Sequence, residues 1–226
     1  NTVFMILEII SINLSRNKKI IFKNFCLKIL SSRIITLIGR NGSGKTSLLE
    51  MIVGLLKPES GVIKINNINI QEIGERKRDQ FIYIPYEDAL KEDLTISENL
   101  QIWANLADVD LSKELFDKSL NYFSLCEIKH VLVGKLSKGQ KKKIALTKLL
   151  LTNCSLWILD EPFNSLDKES IEILKKLFLS HKKNGGVVLF ASHIDIKIRN
   201  KINVFLKPPK TPLVKTTKID NWEALR

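Results

Sequence analysis

At 226 residues the chain is long enough for one full domain with its own apolar core. Its 44% hydrophobic and 27% charged content excludes a low-complexity or disordered protein, and no apolar run approaches the roughly 20 residues needed to span a bilayer. The 36 Lys and Arg outnumber the 24 Asp and Glu, a net charge of +12, which suits an acidic partner such as a nucleotide, anionic lipid or nucleic acid.

Much of that charge is lysine scattered along the chain, which reads equally as a solvated basic surface. Lysine, isoleucine and asparagine are all plentiful, the bias of an AT-rich genome such as that of an organelle or endosymbiont. The bias discounts the charge, and no nucleic-acid partner is expected. Cys26, Cys126 and Cys154 are odd in number, far apart and without metal-ligand spacing, as reduced thiols of a cytosol-like compartment would be. Asn1 to Met5 carry neither a basic stretch nor a cleavage site, so no signal peptide is expected; Met5 and a non-standard initiator before it are both open as the start.

In chain order, Ile6 to Ile12 alternate as a strand, Ser15 to Lys19 turn, and Ile20 to Leu30 resume as strand. The apolar run Ile34 to Ile38 is a further strand. It runs into Gly39-Arg40-Asn41-Gly42-Ser43-Gly44-Lys45-Thr46, after which Ser47 to Val53 form an amphipathic helix stopped by Gly54 to Gly61. Val62 to Ile65 and Ile68 to Ile70 predict a hairpin about Asn66-Asn67, and Phe81 to Ile84 a strand ended by Pro85. From Thr95 to about Leu136 the spacing of Ile96, Leu100 and Trp103, then Leu115, Phe116, Leu120 and Phe123, is helical, with the aromatic residues as its core. Lys141 to Leu151 is a helix, Ser155 to Leu159 a buried strand, Lys168 to Leu179 a helix, Val187 to Ala191 a strand and Ile202 to Leu206 a last short strand. Strands alternating with helices around the glycine-rich loop imply a mostly parallel sheet with helices on both faces. The Pro-, Lys- and Thr-rich tail beyond it is expected to be a poorly ordered extension or docking arm.

The stretch from Gly39 to Thr46 has the GxxxxGK[ST] spacing in the strand–loop–helix setting that makes it a phosphate-binding loop. Its glycines let backbone N–H groups face inward as an anion nest, and the following helix adds its positive end. Lys45 then reaches the β- and γ-phosphates, and the Thr46 hydroxyl is positioned to ligate Mg²⁺. Leu156-Trp157-Ile158-Leu159-Asp160-Glu161 is a strand ending in two acids at the sheet edge beside that loop. Asp160 is expected to hold Mg²⁺ through its water shell, and Glu161 to polarise an attacking water, the positioning that phosphoryl transfer requires. Leu136-Ser137-Lys138-Gly139-Gln140 precedes a helix; its small residues permit close approach of that helix to a phosphate, and the same pattern also serves as a routine cap.

The ordered set GRNGSGKT, LSKGQ, LWILDE, Ser165-Leu166-Asp167 and Ser192-His193 resembles the nucleotide-binding subunit of an ABC transporter from Leu7 to about Leu206. The resemblance implies an α/β P-loop NTPase fold: a mostly parallel core, an antiparallel β subdomain and a helical lobe at about 91–140, in a single domain over 1–206 with an extension at 207–226. It implies ATP and Mg²⁺, bound by Gly39 to Ser47. Ser137, Gly139 and Gln140 would serve the site of a second copy, and Asp167 would sit in the loop joining two sites. His193 would contact the γ-phosphate, with Glu161 the catalytic base. His130 and His181 match no motif position.

Two departures stand out. The family's loop Gln falls on Tyr86, with Glu87 next, and its adenine-stacking aromatic is absent from Leu14 to Asn17. These departures, with LWILDEP and the Gly185-Gly186-Val187-Val188 run, are similar to the ATP-binding subunits of the cytochrome c maturation system, the haem exporter ATPase family. That similarity implies an ATPase peripheral on an inner membrane, on the cytoplasmic face in bacteria or the matrix face in mitochondria. It would drive haem export or release with membrane-spanning subunits, which would dock near Tyr86 to Asp93, and with a second copy of itself. Another ABC exporter and a soluble ATPase of iron–sulfur assembly are the alternatives; a cassette acting on ribosomes or nucleic acid would usually carry a second cassette or a long insertion, absent here.

Overall fold

The computed structural model describes residues 5–74 and 80–206, so the expected C-terminal extension and the opening residues lie outside it. Strands β1 (Met5–Arg16) and β2 (Lys19–Leu30) form a long hairpin. It turns at Asn17 and Lys18, both at positive φ (50° and 62°), the geometry whose twist matches that of the flanking strands. The strand therefore runs past Ile12 to the turn, carrying register shifts on the way, one of them near Ser11 at φ 48°. β4 (Ser60–Ile65) pairs with the other edge of β1, and β5 (Ile68–Asn69) follows through the expected turn at Asn66 and Asn67. The result is an antiparallel sheet ordered β2-β1-β4-β5.

The second sheet is parallel throughout and ordered β6-β7-β8-β3-β9, from β3 (Arg33–Ile38), β6 (Phe81–Ile84), β7 (Leu156–Asp160), β8 (Val187–Ser192) and β9 (Ile202–Phe205). Every residue of β7 and β8 is buried, which explains why they read as unbroken apolar runs rather than alternating ones. Alternate side chains go to opposite faces. Ile35, Leu37, Ile158, Leu189 and Ala191 join the core shared with helix α1 (Lys45–Ile52) and the antiparallel sheet. Ile34, Trp157, Leu159, Val188 and Phe190 join the core shared with helices α2 (Ile96–Leu106), α3 (Lys113–Tyr122), α4 (Lys138–Thr147) and α5 (Lys168–Lys183).

The segment expected to be helical from Thr95 to Leu136 is two helices and two short 3₁₀ turns, Cys126–Ile128 and Val133–Lys135. Side-chain caps set the breaks: Thr95 and Glu98 form a reciprocal capping box at the start of α2, and Ser112 caps α3. The aromatic residues read as its core are core: Phe123 is buried, and Trp103 and Phe116 pack against the same cluster, while Tyr122 is exposed. α4 begins three residues earlier than the apolar pattern suggested, because Ser137 and Gln140 form a second capping box.

Candidate active site

Because the five strands of the second sheet are parallel, their carboxyl ends meet at one edge, where α/β proteins bind their ligands. A cleft of about 710 Å³ opens there, lined by Asn41, Gly42, Gly44, Lys45, Thr46 and Ser47 from the glycine-rich loop, and by Asp160, Glu161 and His193 from the ends of β7 and β8. Gly44 stands at φ 93° immediately before α1, and a Cβ there would come within 2.5 Å of Ile21, so both backbone and space demand glycine. Gly39, Arg40 and Ser43 turn away from the cleft toward a smaller recess with Phe205 and Leu206. The Ser43 N–H donates to the Arg40 carbonyl (3.0 Å), closing the loop.

Lys45 is buried, and its ammonium donates to the Gly39 carbonyl at 2.9 Å, which holds it folded along the loop. The Thr46 hydroxyl donates to Asp160 Oδ2 at 2.6 Å, joining the first turn of α1 to the end of β7. Burial pushes the Asp160 carboxyl up from its ordinary value, opposed by the Thr46 hydrogen bond and then by the charges of Lys45 and Lys142. Glu161 follows at φ 47°, a left-handed conformation that costs energy in a non-glycine residue. Its N–H is tied to the Ala191 carbonyl (3.1 Å), and its side chain, only 10% exposed, meets His193 Nδ1 at 2.9 Å. Ser192 is fully buried and bonds through its hydroxyl to the backbone of Ile194 in both directions, fixing the turn that presents His193.

The remaining expected site residues do not line this cleft. Ser137 and Gln140 cap each other at the start of α4. Gly139 packs on the chain itself, since a Cβ there would lie 2.5 Å from the Ser165 carbonyl oxygen. That close approach is a second reason for glycine, which the pentapeptide alone did not reveal. Asp167 accepts from the Ser170 N–H (2.7 Å) as the cap of α5 and pairs with Lys143 of α4 (2.9 Å), and these contacts hold its carboxyl well below the usual range. The cleft has further walls: Arg16 and Asn17, in the turn where the resemblance implied an adenine contact, with Lys19 beside them; Tyr86, at the place of the loop Gln; and Asn164, which no motif announced. The basic run at that turn was the available signal; a hairpin packed over the glycine-rich loop brings it to the phosphate edge.

A separate apolar cleft of about 750 Å³ lies between β6 and the helical segment, with Val53, Phe81, Trp103 and Leu150 in its walls and Leu55 (72%) and Leu106 (68%) exposed at its rim. None of residues 86–93 lines it.

The sequence profile of the ABC transporter family matches residues 22–164. The chain is 39% identical over 181 residues to the cytochrome c biogenesis ATP-binding export protein CcmA of Histophilus somni, covering 80% of this chain and 83% of that protein. It is also 39% identical over 193 residues to the protein of the same name from Reclinomonas americana, covering 84% and 85%. Among solved structures, a putative ABC transporter ATP-binding protein from Pyrococcus furiosus superposes with a TM-score of 0.77 at 25% identity, covering 91% of this chain and 98% of that one. The structure of an ATP-binding subunit of an ABC transporter does so at 0.75 and 30% identity, covering 84% and 80%.

Proposed function

The chain belongs to the ATPases of ABC transporters, among the cytochrome c biogenesis ATP-binding export proteins, and on that premise we propose that ATP hydrolysis in the cleft drives haem export or haem release during cytochrome c maturation. The observation that carries the reading is the convergence of the glycine-rich loop, the Thr46–Asp160 contact and the Glu161–His193 pair on one cleft. The loop N–H groups and the start of α1 receive the phosphates, and Lys45 exchanges the Gly39 carbonyl for phosphate oxygens. The Thr46 hydroxyl and the Asp160 carboxylate are hard oxygen donors side by side at the cleft, a set that fits Mg²⁺. When bound, that ion supplies charge neutralisation on the β- and γ-phosphates. Glu161, held by its strained backbone and by His193, orients the attacking water and accepts its proton, and His193 reaches the terminal phosphate.

The position of Ser137, Gly139 and Gln140, away from their own cleft, supports a head-to-tail pair in which they close the site of a second copy. The apolar cleft rimmed by Leu55 and Leu106 supports docking of a membrane-spanning subunit there rather than at Tyr86 to Asp93. Docking on those subunits would hold the chain peripherally on the cytoplasmic or matrix face of an inner membrane; among the described residues no helix is long and apolar enough to cross a membrane.

Glu161→Gln decides the catalytic assignment. It is expected to bind ATP as the unaltered chain does and to turn over about 10²- to 10³-fold more slowly, because the water loses its orienting carboxylate. Hydrolysis at the unaltered rate would remove Glu161 from the mechanism.

A further inference from the structure

The loop after β6 is held to the neighbouring helix by one buried cation. Lys142 lies in the second turn of α4, and its side chain is 5% exposed. The ammonium stands 2.6 Å from Asp88 Oδ1 and donates to the Tyr86 carbonyl at 3.2 Å. Tyr86 lines the nucleotide cleft, and the same ammonium draws the Asp160 carboxyl toward its charged form. Asp88 also attracts Lys148, a second buried lysine whose Nζ lies 5.9 Å from the centre of the Trp103 ring; Trp103 walls the apolar cleft. Through Tyr86 the Lys142–Asp88 pair ties a wall of the nucleotide cleft to α4, and phosphate chemistry itself does not use it. A buried ion pair adds little net stability over apolar residues of the same volume, and its best-attested use is to fix one arrangement of two elements.

We propose that Lys142 and Asp88 are a positioning pair that latches the loop after β6 to α4. The latch fixes the Tyr86 wall of the nucleotide cleft against the helix that Ser137 and Gln140 head, so that both are held in register when the cleft is filled. The inference rests on the ATPase reading above.

The test compares four full-length proteins: unaltered, Asp88→Asn, Lys142→Met and the double variant Asp88→Leu/Lys142→Met. For each, ATP affinity, KM, kcat and melting temperature are measured. Each single variant is expected to lose at least about tenfold in kcat while ATP affinity stays within about threefold, the pattern of lost positioning rather than lost binding. Because one lone buried charge can itself prevent folding, the double variant, apolar at both places, is the deciding protein. It should recover the melting temperature and keep the deficit in kcat. Recovery of kcat to within about threefold of the unaltered chain would reduce the pair to core filling and overturn the latch. The four-way comparison reads the rate itself, so it stands apart from Glu161→Gln: that variant can fail the assignment of the base while the latch is still decided.

Discussion

Two histidines flank β8, and their surroundings are opposite. His193, just beyond its carboxyl end, is half exposed and faces the Glu161 carboxylate across 2.9 Å. His181, before its amino end, lies flat against the Trp157 ring with centroids 3.7 Å apart and planes within 10°. Its Nε2–H donates to the Ser155 carbonyl at 3.1 Å, and burial, opposed by its backbone hydrogen bonds, pulls its pKa down from 6.5 to about 4. The cleft beside His181 is as large, about 750 Å³, but no carboxylate among the described residues lines it; Ser31, Ser32, Asn184, Gly185 and Gly186 do. The difference follows from strand direction. At the carboxyl edge β7 and β8 end by offering side chains to the cleft, whereas at the amino edge the same residue type serves the packing. One edge turns its histidine to a carboxylate and a ligand, the other lays its histidine on a ring as packing, although Lys183 also lines the cleft there.

The sharpest way to break that contrast is at Lys45, the buried ammonium of the carboxyl edge. Lys45→Ala should weaken ATP binding about a thousandfold, the scale of removing one partner from a desolvated charge contact, with the melting temperature nearly unchanged. Titration with a fluorescent ATP analogue measures it. Normal binding by the variant would mean that the cleft is not the nucleotide site.

At the amino edge the expected signature is a pH dependence of stability. Between pH 6.5 and about 4 the unfolded chain binds a proton on His181 and the native chain does not, so native stability falls as pH falls through that window and is complete above it. The loss amounts to at most about 3 kcal/mol, set by the distance between the two pKa values. His181→Phe keeps a ring on Trp157 and removes the proton, so urea midpoints of the variant should flatten across the window. A slope identical to that of the unaltered chain would assign the loss to other groups.

The parallel core was legible because β7 and β8 are buried on both faces, and a strand in that position must be apolar throughout. The phosphate loop was legible because its glycines are required by backbone geometry, which spacing records. The walls contributed by Arg16, Asn17 and Lys19 were not legible from the residues themselves, since a basic turn looks the same whether it faces water or a ligand; only the family resemblance pointed to the turn at Leu14 to Asn17. The Lys142–Asp88 pair was also hidden: its partners are 54 residues apart, and nothing in a run of three lysines marks the one whose side chain is buried. The double duty of Gly139 required the position of the Ser165 carbonyl, which only the folded chain supplies.

The smallest expected effect lies at Asp167, and it separates the two edges within one titration. Its carboxyl accepts the Ser170 N–H and pairs with Lys143, contacts that hold it below the ordinary 3.8 while the side chain stays 59% exposed. A carboxylate with a lowered pKa stabilises the native chain above its unfolded value, and that contribution is lost as pH falls below it. The loss therefore begins where the His181 loss is nearly complete. Because solvent screens so exposed a group, it is worth well under about 1 kcal/mol and shrinks further in salt. Asp167→Asn keeps an oxygen able to cap α5 and loses only the charge. Its urea midpoints should run parallel to those of the unaltered chain from pH 4 to 6.5, where His181 governs, lower by a small constant step at low ionic strength, and converge with them below that range as Asp167 of the unaltered chain is protonated. A change of slope between pH 4 and 6.5 would show that the two edges titrate as one unit, and the division between a ligand-facing edge and a packing edge would fail.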